Sequence, residues 1–597
     1  MSEKKVPIKY TSRDFSTIRK DLIDYAKRYY PDSYNDFTQA SFGSMTIDTV
    51  AYVGDILSFY LDYQVNESFL DTATEYDNVL RLAKQRGYKF KGADTTTGFV
   101  GFYAIVPANS TGLGVDTRYI PILKKNSIVA SSRGASFILL EDVRFDHPAS
   151  YVVSARTDES TGIPTHYAIK SGGKVISGVF GAETVTIGSF EKFRKINLDN
   201  PNIVEIISVM DSEGHEYYEV EYLSHDVVYK SVPNRDENTR DNAPSLMRPF
   251  SAPRRFTTDR NGGSITLQFG YGSDSEIASP TLADPSNVVL QRFAKDYITD
   301  STFDPSDLMG TDKLGIGPAD TTLTITYRLN TASNSNVAVG AITRIIAPLV
   351  EFIDPSIAST STANDVITSL EAHNEEPING SVLSPNVEEI RRRTLNYFPT
   401  QNRAVTSADY EAFAYAMPSE YGSIKRCHMV RDQDSLKRNL NMYVLAESST
   451  GRLETANSAL KNNLKIWLNR YRMINDTVDI LDAKIVNIGI EFEVISDGTN
   501  RYDVLEEAAS TLRQKFARQF FIGERLKITK IYSILNSVRG VADVTNVKIK
   551  VKSGGRYAQT GFDIDSQTSA DGRYIAIPDN VALEIKFPDT DIKGSVK

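Results

Sequence analysis

The sequence predicts a multidomain α+β protein with an N-terminal helical arm containing one long helix, a β-rich central body and a C-terminal α+β module. Three observations predict it. Apolar residues recur at helical spacing through residues 41–70, short alternating apolar runs bounded by turn residues begin near Gly92, and strands interleaved with helices follow from about residue 421. At 597 residues the chain is too long for one hydrophobic core. The boundaries read from these changes are 1–90 for the arm, 91–345 for the body, 346–420 for a helical connector, 421–552 for the α+β module and 553–597 for a C-terminal tail with a short strand.

Asp14 to Tyr30 forms a first helix with Phe15, Ile18, Leu22, Tyr25 and Ala26 on one face and Pro31 closing it. The second, Ser41 to Leu70, organises the rest. Ile47, Val50, Leu57 and Leu61 form one apolar stripe, and Val53, Ile56, Tyr60 and Tyr63 form a second beside it. Two stripes require two neighbours, because leaving these side chains in water forgoes about 1.5–3 kcal/mol each. The helix is therefore expected to be buried on most sides. Asp48, Asp55 and Asp62 lie seven residues apart and drift only about 20° per heptad, so they form one carboxylate row. That row excludes a membrane span and reads either as a docking edge for a basic partner or as a solvated face. Thr72 and Glu75 have capping-box spacing for a third helix carrying Val79, Leu80 and Ala83, which Gly87 terminates.

The body reads as strands at Phe99 to Val106, Ser136 to Leu140 and Thr184 to Ile187, with turns expected at Ser171-Gly172-Gly173, Asp211-Ser212-Glu213-Gly214 and Asn261-Gly262-Gly263. Asn234 to Pro253 and Asp300 to Asp320 read as long exposed loops. Helices return at Asn386 to Tyr397 and at Ser407 to Ala416, the latter capped by Thr406. The module then runs strand (Ile424 to Arg431), strand (Leu440 to Ala446), helix (Glu454 to Arg472), strand (Ala483 to Ile495), helices (Tyr502 to Gln519 and Lys530 to Val538) and strand (Val544 to Val551), before a tail strand at Ala582 to Phe587.

Composition narrows function. A net charge of −9 argues against general nucleic-acid binding, which needs an excess of Lys and Arg over phosphate. The single cysteine, Cys427, excludes an internal disulfide, and the N-terminus lacks a secretory apolar core, so synthesis in the cytoplasm is expected. Catalytic and cofactor motifs are missing from the sequence: it has no phosphate loop, no nucleophile elbow and no zinc-protease helix. Gly270 and Gly272 lack the third glycine of a dinucleotide turn, and the six histidines have no metal-ligand spacing. Cys427 and His428 are adjacent on a strand and point to opposite faces, which is poor geometry for nucleophilic catalysis. Arg391, Arg392 and Arg393 read either as a clamp for phosphate or a partner's carboxylates or as a basic helix face balanced by Glu388 and Glu389, the second being favoured. No catalytic, cofactor or metal residue is therefore assigned, and the chain is not expected to be an enzyme.

Two stretches carry a family resemblance. YTSRDFSTIRKDLIDYAKRYYPDSYNDFTQASFGSMTIDTVAYVGDILSFYLDYQVNESFLDTA, followed by LAKQRGYK, resembles the N-terminus of the baseplate wedge protein of T-even-like contractile-tailed phages. QNRAVTSADYEAFA resembles the entry to the C-terminal module of the related baseplate J family, with ITLQFGYG, TLTITYR and SNVAVGAITRI in that family's order. Tyr271 departs from the pattern, standing where many relatives have an acidic residue. The resemblance implies a structural subunit of the virion tail baseplate, assembled in the host cytoplasm. It implies that two copies join one larger wedge protein through bundled helices and that the C-terminal modules pair into an inner ring. It also implies contacts with a small sheath-initiating protein and another small wedge subunit, with neither nucleic acid nor membrane insertion involved. The junction with Gly87, Gly92, Gly98 and Gly101 is the expected hinge of the arm. The competing reading is a tail-associated glycan-binding protein or glycan hydrolase, for which the β-rich body would supply the cleft.

Overall fold

The computed structural model describes residues 14–31, 38, 41–88, 95–110, 112–148, 150–233, 245–261, 264–272, 314–330, 335–352, 359–382, 385–432, 439–498, 500–516 and 520–596. The chain forms two compact units, one of Met1–Phe90, Leu383–Ala416 and Tyr471–Ile474 and the other of Lys91–Val382, Met417–Arg470 and Asn475–Lys597. The fold is multidomain α+β, with an N-terminal helical region, a β-rich body and a C-terminal module of mixed helix and strand.

In the first unit, α1 (Phe15–Tyr29) starts where the Asp14 carboxylate accepts from the Thr17 amide at 3.0 Å. The second helix, α2 (Phe42–Glu67), starts where Ser41 Oγ accepts from the Ser44 amide at 3.1 Å. The third, α3 (Tyr76–Gln85), has Glu75 at its N-cap without a side-chain cap; Thr72, expected to cap it, instead donates to the Asn66 carbonyl at 2.7 Å. Gly87 ends α3 at φ +83° in a Schellman closure, with the Tyr88 amide on Ala83 O and the Gly87 amide on Lys84 O. The core of this unit is Leu70, Ala73, Val79, Ala83, Tyr88 and Ile390. Helix Val387–Tyr397 contributes Ile390, and from the same helix Arg391, buried at 8% exposure, reaches the Leu70 and Ala73 carbonyls, both at 2.6 Å. Arg391 and Arg393 pair with Glu388 and Glu389, as the charge spacing suggested.

The second unit contains two seven-stranded sheets. One runs in the order Ile342–Ala347, Ile128–Ser131, Ser136–Leu139, Pro164–Ser177, Thr97–Pro107 and Glu371–His373, with Tyr151–Thr157 pairing the outer half of Pro164–Ser177. Its core includes Val100, Phe102, Phe137 and Val175. Gly172 and Gly173, read as a turn, are strand residues here, paired with Gly101 and Val100. The other sheet runs Val179–Ile187, Thr321–Leu329, Ile203–Met210, Glu216–Glu219, Arg255–Asn261, Ser264–Phe269 and Lys195–Leu198. Part of the expected loop 234–253 is strand: Ser245–Ser251 pairs antiparallel with Val227–Pro233, while 234–244 lies outside the described residues. Of the expected turn at 261–263 and loop at 300–320, positions 262–263 and 300–313 are likewise outside them.

In the C-terminal module, strand Lys484–Ser496 is central. Val541–Lys552 lies antiparallel on one side, and Val581–Glu584 and Ile592–Val596 lie parallel on the other. Helices Arg501–Phe516 and Ile528–Asn536 bury Leu512, Ile531 and Leu535 with Ile490, Phe492 and Val494 of that central strand. Two strands after residue 553, Val581–Glu584 and Ile592–Val596, thus join this sheet. The helix expected from Glu454 begins at Ser458, because Leu453–Glu454 is a short strand and Asn457 caps the helix.

Candidate assembly interface

A 26-residue helix has two sides to place, and α2 places them against first expectation. The side turned towards α1 is small and acidic. Arg19 of α1 donates to both the Asp48 carboxylate and, at 3.3 Å, Ser44 Oγ. One turn and a half further on, Gly54 lets α1 close in, since a Cβ there would stand 3.2 Å from Ile18 Cδ1. Asp55 and Asp62 share this half-buried side with Asp48. Asp48 of the carboxylate row is thus paired within the chain, and all three carboxylates stay partly exposed.

The apolar side is the exposed one. Val50, Val53, Leu57, Tyr60 and Leu61 are each at least half exposed, and Ile47 and Ile56 are half-buried. Four further residues, which the sequence reading did not single out, belong to the same surface: Phe42, Met45, Tyr52 and Phe59. The signal for three of them was present as a heptad, 45, 52 and 59, flanking the stripe through 50, 53, 57 and 60. At 100° per residue the exposed apolar arc covers roughly 200° of the helix. The expectation that α2 is buried on most sides thus fails within this chain, because α1 occupies the polar side and only Ser44, Ala51, Asn66 and Glu67 of α2 are fully buried.

The end of α2 is held firmly. Glu67, at 6% exposure, accepts from the Thr74 amide and hydroxyl, both at 2.7 Å, and from Asn78 Nδ2 at 3.0 Å. Burial alone would raise its carboxyl, but the Asn78 and Thr74 donors outweigh it and hold the group below its ordinary value. Tyr63 donates to Glu75 at 2.9 Å, and that bond raises the phenol. This surface offers shape and apolar area rather than reactive groups, which suits binding to other helices.

The expected hinge glycines separate. Gly87 holds the left-handed turn after α3, and Gly92 lies outside the described residues. Gly98 and Gly101 are paired residues inside strand Thr97–Pro107, and a Cβ at Gly98 would stand 2.7 Å from Ile378. At Gly98 the lack of a side chain serves close packing, and both glycines take part in strand pairing. Gly270 and Gly272 also serve packing: a Cβ on Gly270 would stand 2.0 Å from Gly315 O, and Gly272 exchanges backbone bonds with Gly315 and Gly317. Cys427 is buried and His428 half-buried on strand Arg426–Arg431. Among the described residues, no group of three or more His, Cys, Asp or Glu side chains is placed to hold a metal, and no helix is long and apolar enough to cross a membrane.

Residues 14–85, which contain α1, α2 and α3, match the family described as bacteriophage baseplate protein, N-terminal domain. Among solved structures, a chain of the anti-feeding prophage (AFP) baseplate is similar at 8% identity over 96% of this chain and 99% of its own, with a TM-score of 0.25. A chain of the type VI secretion system TssK-TssF-TssG baseplate subcomplex is similar at 10% identity over 74% of this chain and 96% of its own, with a TM-score of 0.23. No curated protein matches the sequence.

Proposed function

We propose that this chain is a non-enzymatic structural subunit of a contractile tail baseplate. In this reading α2 bundles with a larger wedge protein and a second copy of this chain, and the C-terminal modules pair to form the inner ring that helps transmit the switch to sheath contraction. The observation that carries it is the exposed apolar arc of α2, inside the segment that matches a baseplate N-terminal domain. An arc of roughly 200° is too wide for one neighbour and fits two helices of a bundle. Small sheath-initiating and wedge subunits are the further partners. Gly87 is the residue on which a pivot of the arm would rest, since its backbone already occupies the conformation that other residues resist.

The test replaces Tyr52 and Leu57 with Asp in the full-length chain and measures native mass with and without the co-expressed larger wedge protein. The reading expects the unsubstituted chain to enter a defined complex and the double variant to stay alone while remaining folded. Equal complex formation by both would overturn it.

A further inference from the structure

The exposed arc of α2 divides into two seams of different chemistry. Met45, Thr49, Tyr52, Ile56 and Phe59 follow the alternating four- and three-residue spacing of a coiled-coil seam, and Thr46, Val50, Val53, Leu57 and Tyr60 follow the same spacing about 100° further round the helix. The first seam carries long and aromatic side chains: Met45, Tyr52 and Phe59 are each at least 60% exposed, and the Phe59 ring stacks on Tyr63 at 6.3 Å. The second is aliphatic at its three central positions, Val50, Val53 and Leu57, each at least half exposed.

Charge separates the seams further. α2 carries Asp48, Asp55, Asp62 and Glu67 and neither Lys nor Arg. Around the helix the aspartate row lies about 80° from the aromatic seam and about 180° from the aliphatic one. The aliphatic seam is flanked by Ile47, Gly54 and Leu61 on one side and by Thr49, Ile56 and Tyr63 on the other, all uncharged.

A two-fold contact between copies of α2 sets a seam against its own duplicate. Through the aromatic seam, antiparallel helices would bring one aspartate row against the other, which repels. Parallel helices would set each row against the Val53 and Tyr60 side of the other copy, taking half-exposed carboxylates out of water. Met45, Tyr52 and Phe59 would also meet their duplicates and hold the axes apart. The aliphatic seam raises none of these costs in either orientation, because the rows point away, the flanks are uncharged and the valines permit an interaxial distance of about 8–10 Å. We infer that a second copy of this chain docks along the aliphatic seam, which leaves the aromatic seam to a partner of different sequence. The inference rests on the assembly role proposed above and adds which side of α2 each partner takes.

The test co-expresses two differently tagged full-length copies with the larger wedge protein, captures one tag, and measures recovery of the other copy and of the larger protein. Val53→Asp with Leu57→Asp in both copies is expected to cut recovery of the second copy about tenfold and to leave the larger protein within about twofold of the parent. Met45→Asp with Phe59→Asp is expected to do the reverse. All four positions are exposed, so circular dichroism of each variant is expected to match the parent. The same two pairs changed to Ala, which favours the helix, are expected to move the two recoveries in the same directions. Loss of the second copy from the aromatic pair, or equal loss from both pairs, overturns the assignment. A parent that recovers the larger protein without a second copy overturns this contact and leaves the assembly role standing, whereas a parent that recovers neither overturns both.

Discussion

Arg19 of α1 and Asp48 of α2 are ion-paired, and this pair fixes which side of α2 the chain covers for itself. Their side chains are 29% and 40% exposed, so solvent screens the attraction and its worth is about 0.5–1 kcal/mol. Asp48→Ala is expected to speed amide hydrogen exchange along α1 several-fold while leaving the α3 amides unchanged. Unaltered exchange in α1 would mean that Ile18 against Gly54 holds the helix without the pair.

Leu57 and Ile390 mark the difference between an exposed apolar surface and a closed core. Leu57 is 58% exposed and Ile390 is fully buried. Leu57→Asp is expected to change the stability of the isolated chain by no more than roughly 0.5 kcal/mol, whereas Ile390→Asp costs more than about 4 kcal/mol by burying an unpaired carboxylate. Denaturant titration of the two variants checks this, and equal losses would show that the chain covers the outer side of α2 itself.

Arg391 is the donor for two carbonyls of the turn between α2 and α3. Arg391→Met keeps the bulk and removes both bonds, leaving buried acceptors unpaired, at an expected cost of about 2–4 kcal/mol. Arg391→Lys is expected to recover less than half, since an ammonium lacks the planar fork that spans both oxygens. A shift in the denaturation midpoint measures each.

Glu67 links the same turn to pH. Its folded carboxyl titrates below the ordinary 4.5, so the ionised form is the one the fold favours. The stabilisation is therefore present above that value and is lost as pH falls through the lowered folded one. Exchange protection of residues 67–78 is expected to drop in that acid window, and Glu67→Gln is expected to flatten the dependence. A Gln variant with the same acid loss would assign the effect to another carboxylate.

Gly270 tests the backbone crossing. Gly270→Ala would drive a methyl into the Gly315 carbonyl and is expected to destabilise by about 2 kcal/mol or more, because backbone has to move. Gly561→Ala, with nothing within 4 Å, is the control expected to be nearly neutral. Similar melting temperatures for the two would mean that the crossing is loose.

Helix starts were legible because their causes are local. Asp14, Ser41, Asn386 and Thr406 each cap the helix that follows, bonding an amide three residues on. The α+β order of the C-terminal module followed from periodicity for the same reason. Misreadings arose where local signals compete: Gly172-Gly173 has turn composition but lies between two long strands, and Glu454 continues a helical pattern that the buried Asn457 interrupts.

The sequence by itself determined that α2 is a long helix with two apolar stripes and one acidic row, since spacing along one helix fixes which residues share a side. Only the tertiary structure decided which side is covered, because the acidic row and the apolar stripes could each have met α1. Arg19 and Gly54 settled it in favour of the acidic side. Likewise, only the fold could bring Val581–Glu584 alongside Lys484–Asn487, a pairing across about a hundred residues that no local pattern encodes. Sheet partners and cavity walls are chosen by contacts distant in sequence, and those contacts exist only once the chain has closed on itself.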